Sequence, residues 1–140
     1  PGQGAYTLSN CLMGSNNYDD GQWQGFLGND LAAVIDLGSE TPIRRVTTTF
    51  FHSPGVWIFM PVEIEYSVSS DGVAYERVVH IDSSGDVRRT GPVIVDFPEA
   101  LNNVSGRFVR VRAKNIGVCP EWHAGAGGAA FLFADEIVVE

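Results

Sequence analysis

Hydrophobic and polar residues alternate strictly in the middle of the chain. In segment 62–68 (VEIEYSV) every second residue is apolar or aromatic, and the residues between them are polar. Successive side chains of a strand point to opposite faces, so this pattern predicts a strand with one buried and one solvated face. The turn signal Asp71-Gly72 follows, and segment 75–81 predicts the returning strand.

Other apolar and β-branched runs predict further strands. No stretch shows a sustained helical period, because glycine and proline interrupt every candidate. Short strands separated by loops predict a single all-β domain, a sandwich or jelly roll, rather than a parallel α/β sheet. The further predicted strands are 31–37 ending at Gly38, 46–51, 93–97 stopped by Pro98, 108–113 and 131–139.

Two long segments do not fit strands. Segments 10–30 and 115–130 are rich in glycine, asparagine or other small residues, and both carry tryptophan. Long loops with aromatic residues on a rigid β scaffold are where binding and catalytic residues concentrate. We therefore expect these loops to carry the function.

Charge and length exclude several classes of partner. The 140-residue chain has a net charge of -8, which disfavours nucleic acid and anionic membrane surfaces, since both attract basic patches. No apolar run approaches the ~20 residues needed to span a bilayer, so we expect no membrane insertion. No signal peptide opens the chain, and its start, Pro1-Gly2-Gln3-Gly4, leads us to expect a piece of a larger protein.

The chain has two cysteines, Cys11 and Cys119. An oxidising compartment would allow one disulfide, but sequence alone does not show that their Cα atoms come within about 7 Å. We favour two unpaired, partly buried thiols. No histidine lies near Cys11, so the pair does not predict a zinc site.

A set of short motifs occurs in a characteristic order along nearly the whole chain. The motifs are LSN at 8–10, GS at 14–15, Tyr18, DG at 20–21, WQGF at 23–26, VIDLG at 34–38, YSVS at 66–69, DG at 71–72, RFVRV at 107–111 and ADEI at 134–137. Together they resemble the coagulation-factor type C, or discoidin-like, domain. The resemblance implies a galactose-binding-like jelly-roll β-sandwich with about eight main antiparallel strands.

Three further pieces narrow the resemblance. WQGF at 23–26, WIF at 57–59 and CPEWHAGAGG at 119–128 are similar to family 32 carbohydrate-binding modules, in particular those C-terminal to family 20 glycoside hydrolases, the chitobiase-like β-N-acetylhexosaminidases of bacteroidetes. This implies a non-catalytic domain that holds the catalytic domain of the same chain on a glycan of galactose or N-acetylhexosamine type. It also implies export to the periplasm or surface of a bacterium.

The resemblance implies a structural calcium ion, which in these modules joins an early loop to the start of the last strand. The matching side chains are Asn10, Ser15 and Glu136, and backbone carbonyls around Leu12 and Asp135 would complete an all-oxygen shell. Asn10 supplies no charge where the family often has aspartate, which would weaken the site. Alternatively, Asn10 and Ser15 are ordinary turn residues and Glu136 lies on a solvated edge.

A sugar site needs an aromatic platform for the apolar C–H face of a pyranose and polar partners for its hydroxyls. The alternative is that a tryptophan belongs to the core, which we favour for Trp23 and Phe26, or that Trp122-His123 only closes its loop. The main candidates are Trp57, Trp122 and His123, and the lesser ones are Phe59, His52 and Asn115.

Nothing in the sequence predicts catalysis. Glycoside hydrolysis needs two carboxylates at a set separation, whereas Asp19 and Asp20 are adjacent and Glu63 and Glu65 share the solvated face of a strand. The common nucleophile, metalloprotease and phosphate-loop motifs do not occur. The alternative to sugar binding is a structural domain that braces a catalytic domain through its exposed aromatics.

Overall fold

The computed structural model describes residues 15, 17, 19 and 23–140, and in this part every pair of neighbouring strands is antiparallel. Two four-stranded sheets have the orders β1-β8-β3-β6 and β2-β7-β4-β5. Short 3₁₀ turns cover Pro54–Val56 and Ser84–Arg88, and no helix of the described part is long and apolar enough to cross a membrane. The strands are β1 Gln24–Leu27, β2 Leu31–Pro42, β3 Arg45–His52, β4 Glu63–Ser69, β5 Glu76–Asp82, β6 Val93–Ala100, β7 Ser105–Lys114 and β8 Phe131–Val139.

The predicted alternation on β4 and β7 forms one wall of the core. Ile64 and Tyr66 of β4 and Val109 and Val111 of β7 are fully buried, and they pack in one cluster with residues of the other sheet such as Phe50. Each inward-facing residue is followed by one that faces outward. The all-β sandwich predicted from the sequence is confirmed.

A buried tyrosine joins the two sheets. The Tyr66 hydroxyl on β4 donates to the Phe97 carbonyl on β6, and because its single proton is used there, it accepts the Thr48 hydroxyl of β3, both at 2.7 Å. Burial raises the pKa of Tyr66 to about 12. The polar groups are therefore satisfied inside the core, as buried polar groups must be.

The observed strands depart from the prediction at β1, β2 and β6, beyond smaller shifts at the ends of other strands. β1 was not predicted, and it lies within the segment 10–30 that we took for a loop. β2 continues past Gly38 to Pro42, with an irregular register between Asp36 and Thr41. β6 continues through Pro98, which pairs with Thr47 of β3. Proline is tolerated there because β6 is an edge strand with one side unpaired.

Strand pairing collects four connections at one end of the sandwich. At this end Leu27 pairs with Phe131, His52 with Val93, and Glu63 with both Asp82 and Lys114. Each of these pairs joins the last residue of an odd-numbered strand to the first residue of an even-numbered strand. We call this end, formed by segments 28–30, 53–62, 83–92 and 115–130, the loop end. It contains the predicted functional segment 115–130.

Candidate binding site at the loop end

Trp57 lies in a short, tightly tied loop between β3 and β4. Ser53 and Ile58 exchange two backbone hydrogen bonds, and the Trp57 carbonyl accepts the Phe131 N–H at 2.9 Å. Trp57 itself has φ 67, in the left-handed region, which is uncommon for a bulky residue and, where the surrounding structure holds it, points to a functional position. The side chain is 40% exposed.

The Trp57 indole lies on the backbone of the 115–130 loop. A Cβ on Gly125 would stand 2.5 Å from Trp57 Cζ2, and one on Gly128 would stand 2.6 Å from Cζ3. No side chain fits at either distance, so the two glycines allow the ring to approach the loop. The contact fixes the ring plane and leaves part of it open to solvent.

Trp122 is the second exposed indole of the loop end, with 46% of its surface exposed. The Phe59 and His123 rings meet it edge-on, each with its centroid 6.2 Å from the Trp122 centroid. The Arg88 guanidinium carbon lies 5.4 Å from the Trp122 centroid, a distance typical of cation–π pairs. Both predicted tryptophans are thus at the surface of the same end.

His123 connects the two tryptophan loops. Its Nδ1 accepts the Gly125 N–H at 2.9 Å, so the neutral ring carries its proton on Nε2, which donates to the Pro54 carbonyl at 2.6 Å. The Trp57 ring stands edge-on to it, 6.1 Å away between centroids. Both ring nitrogens are occupied by the protein, which makes His123 a positioning residue between the two indoles.

The three lesser sugar candidates lie inside the domain. Phe59 is buried with Cys119 and Ala130. His52 is fully buried, its Nδ1 accepts the Met60 N–H at 3.0 Å and its Nε2 donates to the Arg89 carbonyl at 2.7 Å. Burial lowers the pKa of His52 below its usual value of 6.5, which keeps the ring neutral in this role.

Asn115, the third of these candidates, ties several loops together. Its side-chain N–H groups point to the carbonyls of Phe26, Asn29 and Ala130 at 3.0–3.2 Å, and its side-chain oxygen accepts the Gly117 N–H at 2.8 Å. A buried side chain with every polar atom engaged has none left for a ligand. We therefore leave His52, Phe59 and Asn115 out of the proposed sugar surface and assign them to its support.

Trp23 belongs to the core, as we favoured. It is fully buried, and its ring centroid lies 5.2 Å from that of Phe51. Its indole N–H donates to the Ser15 carbonyl at 3.0 Å. Phe26 also packs against the core. Cys119 is a free, buried thiol whose pKa is raised by burial, and Cys11 lies outside the described residues.

The residues expected to hold calcium are described only in part. Asn10 and Leu12 lie outside the described residues. Among the described residues, no group of three or more His, Cys, Asp or Glu is suited to hold a metal ion. The Trp23 contact holds Ser15 beside β1, whose Gln24 pairs with Ala134, next to Asp135 and Glu136 on β8. The Asp135 carboxylate is fully buried. The Ser15 hydroxyl, the Glu136 carboxylate and the Asp135 backbone carbonyl would all offer oxygen, the ligand atom that calcium prefers.

Sequence reasoning missed two features of the loop end. One is Arg88, which lies far from Trp122 in the chain and carries no motif. The other is an apolar rim, because five of the eight large hydrophobic side chains exposed in the described part lie at this end. The five are Leu27, Val56, Trp57, Val118 and Trp122.

Solved structures with a similar fold include carbohydrate-binding modules. A family 32 module of AlyQ, in complex with 4,5-unsaturated mannuronic acid, is 14% identical over 84% of this chain and 76% of that chain, with a TM-score of 0.55. The first family 32 module of a family 31 glycoside hydrolase from Clostridium perfringens is 19% identical over 86% and 78%, with a TM-score of 0.54. At these identities the likeness concerns the fold.

A fragment of a putative chitobiase from Bacteroides thetaiotaomicron has the same fold. It is 14% identical over 80% of this chain and 60% of that chain, with a TM-score of 0.52. The chain therefore spans less than two thirds of that fragment. No curated protein sequence matches the chain significantly.

The model of the F5/8 type C domain matches residues 2–131, nearly the whole chain. This match agrees with the antiparallel sandwich and with the order of motifs noted in the sequence. The chain belongs to the F5/8 type C domain family.

Proposed function

We propose that this domain is a non-catalytic carbohydrate-binding module that holds an attached glycoside hydrolase on a glycan, with Trp57 and Trp122 as its sugar-contacting platform. The observation that carries the proposal is the pair of part-exposed indoles, each held by backbone or ring contacts at the same end of a rigid sandwich. The proposed hydrolase is of the β-N-acetylhexosaminidase type, exported to the periplasm or cell surface, where such glycans occur.

The platform suits a weak, rigid contact. An indole offers a flat apolar face to the C–H side of a pyranose at little entropic cost, because few rotatable bonds become fixed. Each lost stacking contact of about 0.5–1.5 kcal/mol corresponds to a decrease of roughly two- to twelvefold in affinity. Loop contacts that are already formed in the free protein add no ordering cost on binding.

Titration of the chain with sugars tests the proposal. Galactose, N-acetylgalactosamine, N-acetylglucosamine and N-acetyllactosamine would be followed by calorimetry and tryptophan fluorescence. We expect binding of at least one sugar, and loss of it in Trp57→Ala and in Trp122→Ala. Because Trp122 is about half-buried, its variant should lose no more than about 1–2 kcal/mol of stability and stay folded. The control, Val73→Ala, alters a residue that is 84% exposed in the turn between β4 and β5 at the opposite end and should bind normally.

A second function, bracing the catalytic domain, is favoured by the apolar rim. Leu27, Val56 and Val118 are aliphatic and exposed, and such side chains suit a protein interface better than a sugar. Fluorescence that stays flat for every sugar would support the brace. Leu27→Ser and Val118→Ser separate the two functions, since they should leave sugar binding intact but weaken attachment to a neighbouring domain.

We also propose that Ser15, Asp135 and Glu136, with Asn10 and Leu12, hold a structural calcium ion. The ion would neutralise the Glu136 carboxylate and fix the early segment against β8. Calcium added to EDTA-treated protein should raise the melting temperature. At a calcium concentration one hundred times the dissociation constant, the free energy of unfolding should increase by about 2.7 kcal/mol. Glu136→Gln should reduce that increase, and equal melting curves in calcium and EDTA would contradict the site.

A further inference from the structure

Arg88 is an exposed cation at the loop end, with no carboxylate partner among the residues that the structure describes. It closes the 3₁₀ turn Ser84–Arg88, with its guanidinium over the Trp122 ring at 5.4 Å from the centroid. Within the described residues it forms no ion pair, and the turn's own acid, Asp86, is already bound by Arg89. The exposed Glu121, next to Trp122 in the chain, does not pair with it either. Arg88 therefore keeps its charge available to a ligand.

The position of Arg88 determines which ligand substituent it would meet. A pyranose stacked on the open part of Trp122 would bring its ring substituents beside a planar guanidinium. That group matches a carboxylate with two parallel N–H···O bonds, whereas a neutral hydroxyl uses only one donor. Several other basic side chains of the described part also lack an ion pair, and what distinguishes Arg88 is its place over the exposed Trp122 indole. An unneutralised cation beside a platform in an acidic domain fits an anionic group of the ligand.

We propose that the loop end prefers saccharides bearing a carboxylate, such as uronic acids, and that Arg88 is the residue that selects them. This inference rests on the proposed sugar-binding function and refines it. Trp57 and Trp122 contact the apolar face of the sugar, and Arg88 binds its carboxylate. The ligand class then follows from Arg88, and the tryptophans are needed by acidic and neutral sugars alike.

A matched pair of sugars tests the preference. Methyl galactoside and methyl galacturonide of the same anomer differ only in the C6 carboxylate, and their affinities would be measured by calorimetry or chemical-shift titration. We expect the acidic sugar to bind about tenfold more tightly, the range expected for one charge-assisted pair. Arg88→Gln should remove this advantage and leave the affinity for the neutral sugar nearly unchanged. Arg88→Lys should keep part of it.

The matched control is Arg45→Gln, which removes the same charge at the opposite end, where Arg45 lies 3.8 Å from Glu140. It should keep the full acidic preference. Equal affinities for the two sugars, or an equal loss for both in Arg88→Gln, would overturn the role of Arg88 but leave the proposed function standing. Absence of binding to either sugar would overturn the preference for acidic saccharides, and the proposed function would fall with it only if none of the four sugars named above binds.

Discussion

Replacing Gly125 with alanine would place a methyl group too close to the Trp57 ring. The new Cβ would lie 2.5 Å from Cζ2 and 2.6 Å from Cε2 of Trp57, well inside van der Waals contact. The backbone of Gly125 is outside the left-handed region, so the methyl clash is the whole perturbation. Either the indole swings outward or the 115–130 loop shifts, and in both cases the platform loses its fixed plane.

The structure allows the cost to be stated. Forcing a methyl group into a close contact costs about 1–3 kcal/mol, or about 3–4 °C in melting temperature per kcal/mol for a domain of this size. Trp57 is 40% exposed, so its buried part contributes about 1–2 kcal/mol, and Trp57→Ala should cost that amount. With the indole gone, Gly125→Ala should cost nothing, or stabilise by up to about 1 kcal/mol by stiffening the unfolded chain.

A double-mutant cycle followed by denaturant unfolding and circular dichroism measures this dependence. We expect a coupling energy of about 1–3 kcal/mol between Gly125→Ala and Trp57→Ala. Gly55→Ala is the matched control, because a Cβ there meets nothing within 4 Å, and it should be neutral in both backgrounds. If Gly125→Ala costs the same with and without the indole, Trp57 does not lie against the loop and the reasoning is refuted.

Three further predictions concern the support of the loop end and the core. Asn115→Ala should destabilise the domain by about 3 kcal/mol or more, because several buried backbone groups lose their partner, and denaturant unfolding measures it. Tyr66→Phe should cost about 1–3 kcal/mol by leaving Thr48 and the Phe97 carbonyl without their hydroxyl partner, whereas Tyr66→Phe in a Thr48→Val background should cost less. The lowered pKa of His52 means that the unfolded chain binds a proton more readily than the folded one, so stability present above pH 6.5 should decrease as the pH falls below it. Melting curves between pH 8 and 5 should show this decrease in the wild type and a flatter profile in His52→Gln, and equal slopes would exclude His52 as its source.

The strands of the core follow from local patterns. The alternation at 62–68 and at 108–113 matches β4 and β7, because the same period that separates apolar from polar residues also separates the two faces of a strand. The order of short motifs also identified the family before any coordinates. β1 escaped detection because four residues between glycine-rich neighbours are too few to show a period.

The roles of the aromatic and polar loop residues depended on partners distant in the chain. The sequence favoured the core for Trp23 and the surface for Trp57, but the partners that fix these roles are distant in the chain: Trp23 packs against Phe51, and Trp57 rests half-exposed on Gly125. His52 and Asn115 became supports because backbone carbonyls from other loops meet them.

Local propensity and periodicity therefore specified the scaffold, since they act between residues a few positions apart. Exposure, ring orientation and the pairing of charges arise when the packed sheets bring separate loops to one end, which is why Arg88 and Trp122 became neighbours only in the folded domain.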